Sequence, residues 1–133
     1  MVAVAVLALT ATSCSGSNKI HLADEAVKQF HSQMDSERYR EIYEAADSSF
    51  HKRSEPEFIA FLESIHKKLG PVTRVTLQSS QVGLFAGQGT VVTLFYRTQF
   101  TNGGAGEKFI FHFDQNRATL HGYYITSDAL VTR

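Results

Sequence analysis

The hydrophobic pattern of this chain changes period once, at Gly70-Pro71, and that change limits the fold more than any other feature. Before it, apolar residues recur every three or four positions, the spacing of one helical face. After it they alternate, the spacing of a half-buried strand. Helices first and strands after make an α+β domain, not an alternating α/β one.

Three helical stripes precede the switch. Ala23, Val27, Phe30 and Met34 predict a helix over Ile20 to Met34, with Asp24 and Glu25 at the positive end of its dipole. Tyr39, Ile42, Tyr43, Ala46 and Phe50 make the second stripe, with Ser36 as its candidate cap. The third is the best punctuated. Ser54 and Glu57 form a capping-box pattern, and Pro56 lies in the first turn, where a missing N–H costs little. Phe58, Phe61, Leu62, Ile65 and Leu69 make its apolar face, and Gly70 and Pro71 stop it.

Alternation predicts strands over Val72–Val82, Thr90–Thr101, Glu107–Asp114 and Ala118–Ser127. The connections, at Gly83/Gly87/Gly89, Asn102–Ala105 and Gln115-Asn116, are short enough for an antiparallel meander. A two-residue turn at Gln115-Asn116 pairs Phe113 with Ala118, Phe111 with Leu120 and Phe109 with Gly122. A four-residue turn at Asn102–Ala105 pairs Thr98 with Phe109, Tyr96 with Phe111 and Leu94 with Phe113. Both turns put Leu94, Tyr96, Phe109, Phe111, Phe113 and Leu120 on one face, the face expected to meet the helices. The other face carries Phe95, Arg97, Lys108, Ile110, His112, His121 and Tyr123.

The 133 residues suit a single domain, and 13 basic against 13 acidic side chains leave no net charge. No segment is strongly basic, which argues against nucleic acid as a partner. The single cysteine rules out an internal disulfide and leaves no cysteine set for a zinc cluster.

That cysteine closes a distinct leader. Met1 to Leu9 is an uncharged apolar run, too short to span a bilayer, which takes about 20 residues, but long enough for the core of a signal peptide. Ala11-Thr12-Ser13 and then Cys14 resemble the lipobox of bacterial lipoproteins. The resemblance implies cleavage before Cys14 and acylation of its thiol and new amino group. The organisation expected is a signal peptide over residues 1–13, a lipidated cysteine and tether over 14–19 including Ser15-Gly16-Ser17-Asn18, and a domain over 20–133. The protein would then be anchored to a membrane of the cell envelope, on its periplasmic or other extracytoplasmic face.

A second resemblance rests on Phe58-Ile59-Ala60-Phe61-Leu62, Lys68-Leu69-Gly70, Gly89-Thr90-Val91-Val92 with Tyr96, Phe100-Thr101-Asn102-Gly103, and Leu120-His121-Gly122-Tyr123-Tyr124-Ile125. Over about residues 22 to 127 the chain is similar to uncharacterised bacterial lipoproteins with an NTF2-like domain of the DUF4019 type. The resemblance implies three N-terminal helices packed on a curved four-stranded antiparallel meander, an NTF2-like or cystatin-like cone. That fold hosts enzymes, ligand binders and interaction domains alike, so function has to be read from sites.

Few sites present themselves. None of the six histidines sits in a HExxH or other ligand spacing. His112 and His121 read as a solvated sheet face, and His21, His31, His51 and His66 as half-exposed helix positions, so no metal and no cofactor are expected. No G-x-S-x-G elbow occurs, and the glycine-rich Gly83–Gly89 segment lacks the lysine and following helix of a phosphate cradle. By analogy with NTF2-like enzymes, Tyr43, Tyr96 and Tyr124, with Phe109 and Phe111, would line the cone. Glu107 lies on the same face, opposite Tyr124. No carboxylate pair or Asp–His dyad points inward in this register, so acid–base catalysis lacks its players and no catalytic residue is named.

Outside, Phe95, Ile110 and Tyr123 could form an apolar patch among Arg97, Lys108, His112 and His121, an interface for a homodimer. The expectation is therefore a non-enzymatic binding or interaction module whose partner is an envelope protein or a small apolar ligand. The alternatives are an NTF2-like domain that binds or converts a small molecule in the cone, and a purely structural envelope component. An open void of about 300 Å³ or more would favour a small molecule. A cone filled by Phe109, Phe111 and Phe113 would favour an interaction surface.

Overall fold

A computed structural model describes residues 15–87 and 89–131; the leader and Cys14 lie outside the described residues. Helices α1 (Ser15–Asp35), α2 (Tyr39–Ala45) and α3 (Glu55–Leu69) come first, with a 3-10 turn at Ser48–Lys52 between the last two. Strands β1 (Val72–Phe85), β2 (Gly89–Phe100), β3 (Gly103–Asp114) and β4 (Arg117–Thr126) follow, and a short α4 (Asp128–Val131) ends the described chain. The strands form one antiparallel sheet in the order β1-β2-β3-β4, leaving β1 and β4 as its edges. The fold is α+β, as the change of period requires.

The first stripe holds: Ala23, Val27, Phe30 and Met34 are all buried. The helix begins earlier than expected, because residues 15–19, read as a tether, form its opening turns. Tertiary contacts account for this. The Lys19 ammonium donates to the Gln115 carbonyl at 2.9 Å and lies 5.2 Å from the centre of the Phe113 ring, so the β3–β4 turn holds the helix start. The second stripe divides. α2 stops at Ala45, Ala46 is extended, and Asp47 N–H donates to Leu120 O at 2.9 Å on the free edge of β4. Ser36 is not a cap, since the N-cap place falls to Arg38 and carries no side-chain bond. The third helix follows its punctuation. Ser54 Oγ accepts from Glu57 N–H, and Gly70, at φ 75°, closes the helix by donating to His66 O at 2.8 Å.

The sheet keeps the expected faces with a different register. The β2–β3 turn is two residues, Thr101-Asn102, with Phe100 opposite Gly103, so Gly103–Gly106 belong to β3. Leu94 therefore faces Phe109, Tyr96 faces Glu107 and Thr98 faces Ala105. This shift of four residues is even, and an even shift leaves every side chain on its own face.

Between β3 and β4 the expected pairs Phe113–Ala118 and Phe111–Leu120 form, and then the ladder breaks. Gly122 faces Ile110 and Tyr123 faces Phe109, which leaves His121 as an extra residue in a β-bulge. One extra residue reverses the alternation beyond it. Tyr123, expected outside, is buried in the core, and Tyr124, expected to line the interior, is 58% exposed. Gly122 suits the bulge: a Cβ there would come within 3.1 Å of the Ile110 side chain and 3.2 Å of the Tyr124 ring.

The core lies between the helices and the inner face of β2, β3 and β4. Phe30, Phe109 and Tyr123 form its centre, with the Phe30 and Phe109 rings edge to face at 5.1 Å and the Phe109 and Tyr123 rings 4.9 Å apart. Phe109, Phe111 and Phe113 are all buried and fill the interior. The concavity left between α1, α2 and the sheet, lined by Phe30, Ile42, Phe111 and Leu120 among others, measures about 90 Å³. The helices cover only the start of β1, where Val72 packs on the core and donates to Asp35, and leave most of the strand open. Its helix-side residues Val75, Leu77, Val82 and Leu84, opposite Thr98, Tyr96, Val92 and Thr90, remain exposed.

Candidate functional site

Two polar clusters stand out. The first is inside. Glu107 of β3 is buried and accepts three hydrogen bonds: from His31 Nε2 at 2.8 Å and Thr98 Oγ1 at 2.5 Å on one oxygen, and from Tyr123 Oη at 2.5 Å on the other. The donors come from α1, β2 and β4, so one carboxylate ties the first helix to three strands. Burial, then the Glu107 charge and the bond to it, raise the Tyr123 phenol well above its ordinary value and keep it a donor. Tyr96, one step along the same face, donates to Asp24 Oδ1 of α1 at 2.6 Å. Burial and then that bond raise its phenol as well.

A histidine on a carboxylate is the equipment of a proton shuttle, but a shuttle needs substrate access. Of the cluster's residues only Tyr123 lines one of the four concavities, the groove beside the 3-10 turn, and its hydroxyl is turned inward on Glu107; His31, Thr98 and Glu107 line none of them. The cluster acts as a satisfied buried network that fixes α1 on the sheet.

The second cluster is half-buried, on the outer face beside the β4 edge. Asp47 caps the 3-10 turn, its Oδ1 accepting from Ser49 N–H at 2.9 Å and from Ser49 Oγ. Its Oδ2 lies 2.7 Å from His121 Nδ1 and 3.4 Å from His112 Nδ1. The two imidazoles stack, with centres 3.7 Å apart and planes at 17°. Ser49 Oγ is 2.8 Å from the same His121 nitrogen. Together these residues offer one carboxylate oxygen and two imidazole nitrogens, all within 4.8 Å of one another. Burial is the largest single influence on Asp47 and works upward, yet the bonds from Ser49 and His121 outweigh it and lower the carboxyl overall. Burial, then the neighbouring His121, lowers His112.

His121 separates two surface grooves. One, of about 440 Å³, runs between the 3-10 turn, α3 and β4, with Ser49, Lys52, Arg53, Phe61 and Tyr124 in its walls. The other, of about 630 Å³, lies on the outer sheet face over Val91, Thr93 and Ile110, with Phe85, His112 and His121 at its rim.

The expected site residues distribute as follows. Phe109 and Phe111 are packed core. Tyr96 is buried and bonded to α1. Tyr43 is half-buried between the 3-10 turn and α3, donating to Arg53 O at 3.3 Å and packing on His51 and Phe58. Tyr124 lies instead in the wall of the 440 Å³ groove, beside Tyr123, and neither Tyr43 nor Tyr96 lines any of these four concavities. Phe95, Arg97, Ile110, His112 and His121 do share the outer face, but Tyr123 does not. Lys108 lies over both the Phe95 and Tyr124 rings, 5.8 and 5.1 Å from their centres.

Two features of the site run against the sequence pattern or leave no trace in it. His31, expected to be half-exposed, is buried, following Val27 by four and preceding Met34 by three inside the buried stripe. Its place in that stripe, together with Glu107 as the one acid on the inner face of β3, was the available signal. Asp47 reaches His112 and His121 only through the fold and leaves no local pattern.

A family model described as "Protein of unknown function (DUF4019)" matches residues 26–123, a span that holds both clusters. No curated protein matches the chain.

Proposed function

Since the chain belongs to the DUF4019 family, whose function is unknown, we propose that it is a lipid-anchored protein of the cell envelope, with an NTF2-like domain that binds a partner through its outer surfaces and carries out no reaction in its interior. The filled interior carries this reading. Three phenylalanines occupy the space a ligand would need, and the 440 and 630 Å³ concavities open outward. A site for a drug-sized molecule takes roughly 300 Å³ or more, several times what remains between α1, α2 and the sheet. The long apolar edge of β1 supports the same reading, because an unpaired edge strand with exposed apolar residues is a docking place for another chain.

The anchor rests on the apolar leader and Cys14. Among the described residues no helix is long and apolar enough to cross a membrane. Two or more acyl chains on Cys14 would hold the protein stably, where a single chain holds weakly.

The test is fractionation together with two contrasting substitutions in the full chain. Wild type should sediment with membranes and incorporate labelled fatty acid, and Cys14→Ser should do neither. Leu84→Lys on β1 should abolish capture of a stoichiometric envelope partner, and Tyr96→Phe, inside, should not. Membrane retention of Cys14→Ser defeats the anchor. Activity toward a small molecule that is lost in Tyr96→Phe and kept in Leu84→Lys defeats the surface reading.

A further inference from the structure

The geometry points to a binding site for a divalent transition-metal ion of the zinc class at Asp47, His112 and His121, with coordination positions left open toward the outer sheet face. The site goes beyond partner binding and depends neither on the anchor nor on the β1 edge.

The spacing fits. Ligand atoms about 2.1 Å from a tetrahedral zinc ion stand about 3.4 Å from one another. Asp47 Oδ2 and His112 Nδ1 are 3.4 Å apart. Asp47 Oδ2 and His121 Nδ1 are 2.7 Å apart, hydrogen-bond distance, so a proton holds them where an ion would otherwise sit. Replacing that proton by the ion asks for a separation of about 0.7 Å and a rotation of the stacked rings that turns both Nδ1 lone pairs toward the ion. Two imidazoles with one carboxylate suit zinc, copper, nickel or iron, not magnesium or calcium, which prefer all-oxygen sets.

The ligands are held from behind. Ser49 N–H and Oγ occupy Asp47 Oδ1, leaving Oδ2 to face the histidines. The Asp47 backbone is fixed by its N–H on Leu120 O. A carboxylate positioned by partners of its own is the supporting arrangement that metal sites use. His121 is moreover the extra residue of the bulge. The ladder closes on both sides without it, so its place beside His112 is not something the sheet requires. Three protein ligands leave at least one position open, and the groove over Val91, Thr93 and Ile110 gives water or an anionic group a way in.

The experiment titrates zinc chloride, and in parallel cobalt(II) for its visible absorption, into chelator-stripped full chain by calorimetry. Wild type should take up one ion. His112→Ala and His121→Ala should each weaken binding about tenfold or more and bleach the cobalt spectrum, and Asp47→Asn, which keeps a cap for the 3-10 turn, should do likewise. His21→Ala, at an exposed position on α1, should change nothing. Cys14→Ser should still bind, which separates the site from the thiol. Absence of saturable binding by wild type overturns the proposal without reference to any variant. Binding that survives either histidine substitution, or that vanishes in Cys14→Ser, overturns it too.

Discussion

Glu107 accepts three hydrogen bonds in a place water does not reach, so its loss should be costly. Glu107→Leu leaves His31, Thr98 and Tyr123 without an acceptor. At about 1–3 kcal/mol for each buried unsatisfied group, a destabilisation of about 3 kcal/mol or more is expected in urea unfolding. Glu107→Gln retains one acceptor oxygen and should lose less. Equal losses in both variants would mean that the network contributes shape and not bonding. The same cluster sets an alkaline limit. Tyr123 has a raised folded-state value, so its contribution is fully present below about pH 10, the ordinary tyrosine value, and is lost as pH rises through the folded value. Unfolding midpoints should fall as pH rises above about 10, and the fall should be shallower in Tyr123→Phe. A slope unchanged by that substitution would place the titration elsewhere. His31 and Glu107 were visible in the sequence as polar residues on apolar faces. Their pairing was not, because it joins α1 to β3 across 76 residues that hold two helices and two strands.

At the level of elements, the helices were the most legible part. Helical stripes and caps act within a few residues, so the Ser54 cap and the Gly70 stop could be read directly. Strand faces were legible for the same reason, since alternation is local. Register was not. The agreement of two turns on one apolar face was no test of register, because any even shift preserves it, and the real shift at β2–β3 is four residues. The bulge was hidden more deeply: one unpaired residue exchanges the roles of Tyr123 and Tyr124 with no change in composition. The clue was Gly122, a residue that weakens a plain strand and so marks a bulge or a close approach. Deleting His121 joins Leu120 to Gly122 and leaves Leu120 opposite Phe111, Gly122 opposite Ile110 and Tyr123 opposite Phe109. The deletion variant should therefore fold, losing no more than about 2 kcal/mol, an ordinary point-mutant cost. Its near-ultraviolet circular dichroism should still report a buried, ordered Tyr123. A variant that failed to fold would show that the bulge is needed to build the sheet and is more than a mount for His121.

On the scale of the whole molecule, the question is where a second chain would dock. The outer sheet face was the candidate from sequence, but its middle is partly closed by its own side chains, with Lys108 lying over Phe95 and Tyr124. A cation held over two rings has already used much of their surface. The exposed apolar residues concentrate instead on β1, where Leu84 is 84% and Phe85 54% exposed. β1 is also an edge, so its outward backbone N–H and C=O groups are free to pair with an incoming strand. A lysine on such an edge is the usual protection against pairing, and Leu84 contacts too little to be missed by the core. Leu84→Lys should leave the unfolding free energy within about 0.5 kcal/mol of wild type. It should also lower the concentration-dependent mass measured by light scattering further than Phe95→Asp does, because Phe95 is half-buried under Lys108 and Leu84 is open. If Phe95→Asp were the more disruptive change, self-association would run through the middle of the outer face, where the sequence alone had placed it. The Lys108 stack would then have to open as the two copies meet.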